Sequence, residues 1–321
     1  MKVLITGGAG YLGSMLANYL IQKNMEVVVY DKLIYGAEGL IPLINHPHFQ
    51  LVIGDIRNTS LLKKAVEKTD IIVHLAAIVG EDACLVDPRT TEEVNTQATY
   101  ALAKLAIESG TKRFIFTSTC SNYGKQTAIV FENSPLKPVS LYAQTKVAAE
   151  KYILSISPKL LTACVLRFGT LCGLSPRMRF DLLVNDIGRS AATGKSISLF
   201  DLDSWRPFLH VCDASEAIQR CFIAPKKIIA GSVFNVVGEN YQKRKLAKLV
   251  EKHYPAIKII IEESKVDSRS YRVSSRLIAQ KLKFHPKYTV EEAFAEVSHA
   301  IEKHLLPDAF RTIYQEVLPK V

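Results

Sequence analysis

"KVLITGGAGYLGS", residues 2–14, begins as a buried strand and runs into four glycines within seven positions. Gly8, Gly10 and Gly13 stand in G-x-G-x-x-G register, and Gly7 adds G-x-x-G-x-x-G at the same place. An amphipathic pattern over 11–23 follows at once. A strand that turns this tightly into a helix is the first unit of an alternating β/α chain.

The rest of the first half keeps that rhythm. "EVVVY" (26–30), "FQLVI" (49–53), "DIIVH" (70–74), "RFIFT" (113–117) and "TACVLRF" (162–168) read as strands, with helical patterns at 11–23, 58–67, 91–109 and 140–157 between them. Runs rich in Val and Ile suit strands covered on both faces, so the pattern predicts a Rossmann-type doubly wound parallel sheet. After about residue 168 the rhythm breaks into turn-rich sequence. One more apolar run, "SVFNVV" (232–237), and a helical stretch near 290–306 remain. The expected organisation is a first domain over 1–168 and a smaller, partly interleaved C-terminal lobe over 169–321, with 232–237 returning to the main sheet.

The glycines have a chemical reading. They leave bare backbone at a helix N-terminus, where a pyrophosphate can approach closely. Asp31 ends the second strand, where a carboxylate accepts adenosine ribose hydroxyls and repels a 2′-phosphate. This favours NAD over NADP, with Lys32 beside it working the other way.

The 321 residues carry a formal charge of +10. Nucleic acid, a membrane surface or a phosphorylated substrate could each use such a balance. The densest basic run, "YQKRKLAKLVEK" (241–252), has Leu246, Leu249 and Val250 at helical spacing and reads as a solvated helix face. No apolar stretch approaches the ~18 residues of a membrane span. Neither a nucleic acid nor a membrane partner is expected. The six cysteines form no C-x-x-C pair, and His46 and His48 have no further ligands nearby, so no metal is expected and the compartment reads as cytoplasmic.

A Y-x-x-x-K spacing puts a phenol and an ammonium on one helix face. It occurs five times: Tyr19/Lys23, Tyr100/Lys104, Tyr142/Lys146, Tyr241/Lys245 and Tyr254/Lys258. Position selects Tyr142/Lys146, on the helix after the fifth strand. The end of that strand carries Thr119, at the edge where open α/β sheets bind ligands.

In order, Gly7–Gly13, Asp31, "GDIR" (54–57), "HLAA" (74–77), Asn95, "STCSNYG" (118–124), "YAQTK" (142–146) and "LRFGTLCG" (166–173) resemble the extended short-chain dehydrogenase/reductase family, in its nucleotide-sugar epimerase and dehydratase branch. The resemblance covers nearly the whole chain, including "WRPFLHVCDASEA" (205–217) and "DSRSYRVS" (267–274). It implies NAD as cofactor, held by Gly7, Gly10, Tyr11, Leu12, Gly13, Asp31, Asp55, Ile56, Leu75, Ala76, Ala77, Asn95, Thr117, Tyr142, Lys146 and Phe168. It also implies a nucleotide-diphosphate-sugar substrate against Gly80, Glu81, Thr119, Thr170, Asn185, Arg206 and Arg269, and a homodimer joined through a four-helix bundle. Thr119, Tyr142 and Lys146 would be catalytic. Glu81, in the loop "IVGEDACLVDP" (78–88) over the sugar, reads as either a ligand or a solvated acid.

Three departures from the resemblance bear on the activity. Relatives that eliminate water carry an Asp-Glu pair after the threonine, whereas this chain has Cys120 and Ser121, so dehydration is disfavoured. Pro207 replaces the usual Asp, and Thr170 replaces an Asn common in epimerases. The expected activity is 4-epimerisation by transient oxidation at C4. A net 4-dehydrogenase or 4-ketoreductase is the alternative, and a non-catalytic NAD-binding module is a third reading.

Overall fold

The computed structural model describes residues 1–264, 267–306, 308–311 and 314. Its centre is a seven-stranded sheet of β1 (Lys2–Thr6), β2 (Glu26–Asp31), β3 (Phe49–Ile53), β4 (Ile71–His74), β5 (Arg113–Thr119), β6 (Ala163–Phe168) and β7 (Ser232–Val236). The strand order is β7-β6-β5-β4-β1-β2-β3 and every pairing is parallel. This is a doubly wound Rossmann-type fold. The order reverses between β1 and β4, which opens a crevice at the C-terminal ends of those strands.

Alternation along each strand explains why the apolar runs are unbroken. Val3, Ile5, Val27, Val29, Ile71, Val73 and Ile115 face one layer, together with Leu16 and Leu20 of helix Tyr11–Gln22 and Ile218 of helix Val211–Ile223. Leu4, Val28, Tyr30, Ile72, Phe114 and Phe116 face the other, against Leu102 of helix Ala98–Glu108 and Ile153 of helix Leu141–Ile156. Both faces are covered, so a polar residue would be costly on either.

Beside the central sheet, the described residues form three smaller sheets. Thr170–Cys172, Trp205–His210 and Glu239–Gln242 form one; Ile197–Leu199 pairs with Ile259–Ile261; Lys125–Val130 pairs in parallel with Ser270–Val273. The strand Lys125–Val130 was not legible in the sequence. Four of its six residues are exposed, and its pattern does not alternate. It ties the segment after β5 to sequence almost 150 residues later.

The helix expected over 91–109 is not regular. It starts at Pro88, passes through a π-helical turn at Glu93–Gln97 and continues as Ala98–Glu108. Single π turns of this kind often mark functional sites, and this one contains Asn95. Among the described residues no helix is long and apolar enough to cross a membrane.

Candidate active site

The glycine turn lies where β1 meets helix Tyr11–Gln22. Gly7 has φ +74°, and a Cβ there would stand 2.6 Å from the Ala76 nitrogen. A Cβ at Gly13 would lie 2.3 Å from the Gly7 oxygen and 2.5 Å from Gly8 Cα, so this glycine closes helix onto turn. Gly10 differs: its Cβ would meet only the Gly7 oxygen, at 3.3 Å, and otherwise point into the crevice. It begins the helix without a side-chain cap. Unclaimed backbone N–H groups and a cradle that a side chain would fill suit a pyrophosphate. The dinucleotide therefore fits the residues present.

Asp31 stands at the end of β2. Its carboxylate accepts from the N–H of Ala9 at 2.9 Å and of Leu33 at 2.8 Å, which fixes it beside the glycine turn. Asp55 ion-pairs with Lys32 at 3.1 Å and Arg57 at 2.8 Å, and hydrogen bonding from Arg57 holds its carboxyl well below the usual range. Leu75, Ala76 and Ala77 leave β4 partly exposed, Ile56 is buried, and Leu12 is partly exposed on the first turn of its helix. Thr117 Oγ1 donates to the His74 oxygen at 2.8 Å.

Two residues expected at the cofactor have side chains bonded within the protein. The Asn95 side chain accepts from the N–H of Ile78 at 2.8 Å and donates to the Ile78 oxygen at 3.0 Å and to Thr145 Oγ1 at 3.2 Å. It is buried and pins the start of the 78–88 loop. The Tyr11 hydroxyl donates to the Gly173 oxygen at 2.6 Å, in the interior. Only its backbone belongs to the glycine turn.

Thr119 ends β5, paired in register with Phe168 at the end of β6. Its Oγ1 accepts from the Ser121 N–H at 3.1 Å, capping the short turn Cys120–Tyr123. Tyr142 and Lys146 lie one turn apart on helix Leu141–Ile156, which starts at Ser140 as N-cap. Tyr142 is partly exposed and packs on the buried cluster of Ile78, Ala83 and Cys84. Lys146 is only 3% exposed, with its ammonium 4.4 Å above the Phe116 ring. Burial pushes its pKa down to about 7, against the pull of Glu150.

Beneath this turn lies a polar network that sequence spacing did not reveal. Glu150 and Arg167 form an ion pair, both almost fully buried. Ser118 Oγ donates to Glu150 at 2.9 Å, and Asn122 donates to Ser118 at 3.1 Å. Arg167 also donates to the Tyr123 hydroxyl at 2.7 Å and the Glu132 oxygen at 2.9 Å. On the adjoining strand, His74 lies between Thr6 at 2.7 Å and Thr99 at 2.8 Å, and burial drives its pKa down to about 3, which keeps it neutral. Cys120 points inward as well. Its thiol donates to the Arg167 oxygen at 3.3 Å, and burial raises its pKa far above the usual thiol value. Ser121 Oγ stands 3.4 Å from the Tyr271 hydroxyl.

The far end of the cleft is a charge cluster. Asp267 ion-pairs with Arg206 and, at 2.6 Å, with Lys243; Arg269 lies 3.8 Å from it and 3.0 Å from Glu81. Arg206 and Lys243 are buried, and Arg269 is partly exposed. Three cations on two carboxylates leave net positive charge, which suits an anionic ligand. Gly80, at φ +100° with open space where a Cβ would be, precedes Glu81 at the start of helix Glu81–Val86. Thr170 is partly exposed, in register with Phe208. Asn185 does not join this group. It is fully buried, accepts from the Gly173 N–H at 2.9 Å, and donates to the Tyr11 hydroxyl at 3.2 Å and the Arg179 oxygen at 3.0 Å. Its amide bonds the glycine helix, through Tyr11, to the segment 173–179, which is where the structure places the residue expected at the ligand.

This geometry agrees with the comparisons. Residues 3–237 match the NAD dependent epimerase/dehydratase family. The chain belongs to that family: it is an NAD-dependent enzyme of the nucleotide-sugar epimerase and dehydratase class. The low-salt glycan biosynthesis protein Agl12 of Haloferax volcanii is 30% identical over 246 residues, covering 74% of this chain and 76% of that protein. A UDP-glucose 4-epimerase of Halalkalibacterium halodurans is 35% identical over 156 residues, 47% of this chain and 45% of that enzyme. Among solved structures, UDP-glucose 4-epimerase of Thermotoga maritima with UDP-glucose superposes with a TM-score of 0.85 at 24% identity, covering 95% of this chain and all of that one (100%). UDP-glucuronic acid 4-epimerase of Bacillus cereus gives 0.84 at 24% identity, covering 94% and 99%. At these identities the structural likeness speaks for the fold.

Proposed function

We propose that the protein is a 4-epimerase of nucleotide-diphosphate sugars, working by transient oxidation at the sugar C4. The reading is carried by Thr119 at the end of β5, by Tyr142 and Lys146 one turn apart on helix Leu141–Ile156, and by the lack of an acid at 120 or 121. The similarity to UDP-glucose 4-epimerases supports it.

When bound, NAD supplies the hydride acceptor and donor. Gly7, Gly10 and Gly13 would hold its pyrophosphate, Asp31 its adenosine ribose, and Lys146 its nicotinamide ribose. The chain's own work is with protons. Tyr142 takes the proton of the C4 hydroxyl and returns it, while Thr119 Oγ1 hydrogen-bonds the same oxygen and orients it. A free phenol is a weak base at neutral pH, since its unperturbed pKa is ~10. Positive charge from Lys146, and from the cofactor beside it, favours the phenolate. Lys146 titrates near 7 in the ligand-free chain, so an anionic partner that keeps it protonated also readies the base.

Elimination of water across C5 and C6 needs a carboxylic acid and a base beside the threonine. Cys120 is buried with its thiol bonded to backbone, and Ser121 is a neutral hydroxyl. What the site retains is chemistry at one carbon. Arg206 and Arg269 would take the diphosphate.

The protein is further proposed to be a cytoplasmic homodimer that pairs helices Ala98–Glu108 and Leu141–Ile156, where the Tyr100 and Tyr152 rings lie 4.2 Å apart. A monomer in sedimentation at micromolar concentration overturns the dimer. For the activity, the test is to follow cofactor absorbance and sugar composition together during turnover. Interconversion of C4 epimers with no net NADH is the expected result. Stoichiometric formation or consumption of NADH would establish the 4-dehydrogenase or 4-ketoreductase instead.

A further inference from the structure

Glu81 stands between Tyr142 and the charge cluster around Asp267. Its helix, Glu81–Val86, packs through Ala83 and Cys84 on Tyr142, the group proposed to work at C4. Its carboxylate meets Arg269 at 3.0 Å, the group proposed to hold the diphosphate. A sugar joined to that diphosphate and presented to Tyr142 therefore lies against Glu81.

The charges around it are already committed. Arg206 and Lys243 both pair with Asp267, and Arg269 is shared between Asp267 and Glu81. These three cations face two carboxylates, Asp267 and Glu81. A diphosphate that takes Arg206 and Arg269 uses the remaining positive charge and strips Glu81 of its partner. Glu81 meets Arg269 through Oε1, 3.0 Å from a guanidinium nitrogen, and that ion pair is the contact a diphosphate would compete for. Asp82 follows in the same first turn and adds negative charge.

We infer that Glu81 is a specificity residue, which makes the site prefer a sugar without negative charge over a uronate. A second carboxylate, at C6 of the hexose, would enter beside an unpaired Glu81. Repulsion between like charges a few ångströms apart near a protein surface is large enough to cost about tenfold or more in affinity. The same carboxylate opposes the diphosphate of every substrate equally, so the ratio between two sugars isolates its effect on the sugar. The inference rests on the diphosphate reading of Arg206 and Arg269.

The test measures dissociation constants of the NAD-loaded enzyme for a neutral sugar nucleotide and the matching uronate, UDP-glucose with UDP-glucuronate and the dTDP pair alongside. Wild type should bind the neutral member about tenfold or more tightly. Glu81→Gln, which keeps size and polarity, should bring the two within about threefold, chiefly by strengthening the uronate, and should tighten UDP or dTDP itself. Equal or better binding of the uronate by wild type overturns the inference, as does an unchanged ratio in E81Q. If neither UDP nor dTDP binds, or if Arg269→Gln leaves their binding unaltered, the diphosphate reading falls first and this inference with it.

Discussion

Glu150 and Arg167 form an ion pair directly beneath the turn that carries Thr119, with only 2% and 5% of their side chains exposed. Through Ser118 and Asn122 on one side and Tyr123 on the other, the pair bonds to the segment between β5 and the second lobe. A buried charge that loses its partner is costly, on the order of 3–5 kcal/mol. Glu150→Gln and Arg167→Met are each expected to lower the unfolding free energy by about that much in urea titrations. The double variant should cost less than the sum of the two, because neither charge is then stranded. A loss of less than ~1 kcal/mol in either single variant would mean that water reaches the pair.

Removing one oxygen from Tyr142 should separate chemistry from folding. Tyr142→Phe keeps the ring that packs on Ile78, Ala83 and Cys84. It is expected to cut kcat by at least about a thousandfold, within the range general-base removal reaches, while NAD affinity and melting temperature stay near wild type. Turnover within a few fold of wild type would exclude the phenol as base.

Lys146 makes stability depend on pH in a direction that can be stated in advance. Burial lowers its pKa in the folded chain to about 7, whereas the unfolded chain keeps the ordinary lysine value of 10.5. Between these values the unfolded state binds more protons, so stability rises with pH, by up to about 1.4 kcal/mol per unit. The cost of charging the buried amine is complete below about pH 7 and vanishes above about 10.5. Lys146→Met removes that slope. The difference in unfolding free energy between variant and wild type, measured without ligand from pH 6 to 9.5, should favour the variant most at pH 6. A difference independent of pH would show that the ammonium is solvated. The same variant should be inactive.

Two glycines of one turn should fail in different ways. Gly13→Ala brings a Cβ to 2.3 Å from the Gly7 oxygen, backbone against backbone, and should lower the melting temperature markedly. Gly10→Ala meets only that oxygen at 3.3 Å, at an ordinary φ of −74°, and should fold nearly as well as wild type. Its methyl group fills the cradle, so NAD binding measured by calorimetry should weaken about tenfold or more. Equal loss of stability in both would mean that Gly10 serves packing alone.

The parallel sheet was legible because both its faces are buried. Apolar runs such as "KVLIT" and "RFIFT" have no other environment that suits them, and the glycines after the first run declare the crevice. Thr119, Tyr142 and Lys146 could be picked out by position on those elements, with four other Tyr/Lys spacings set aside. Local sequence carries that much, because strand period, helix period and turn chemistry are local properties.

Contacts between distant segments were not legible. Nothing near Glu150 announces Arg167, nor does anything near Glu81 announce Arg269, which is 188 residues away in the chain (269 − 81). Asn95 and Asn185 show the same limit in reverse. Each sits at a position that resemblance associates with a ligand, yet each amide bonds to backbone that only the folded chain brings near, Ile78 for one, Gly173 and Arg179 for the other. The amino-acid order by itself determined the strands, the glycine cradle and the helix that carries Tyr142 and Lys146. Tertiary structure alone decided which polar groups face the cleft and which brace it, because a buried amide or charge must find a partner and the chain's path chooses which one lies within reach.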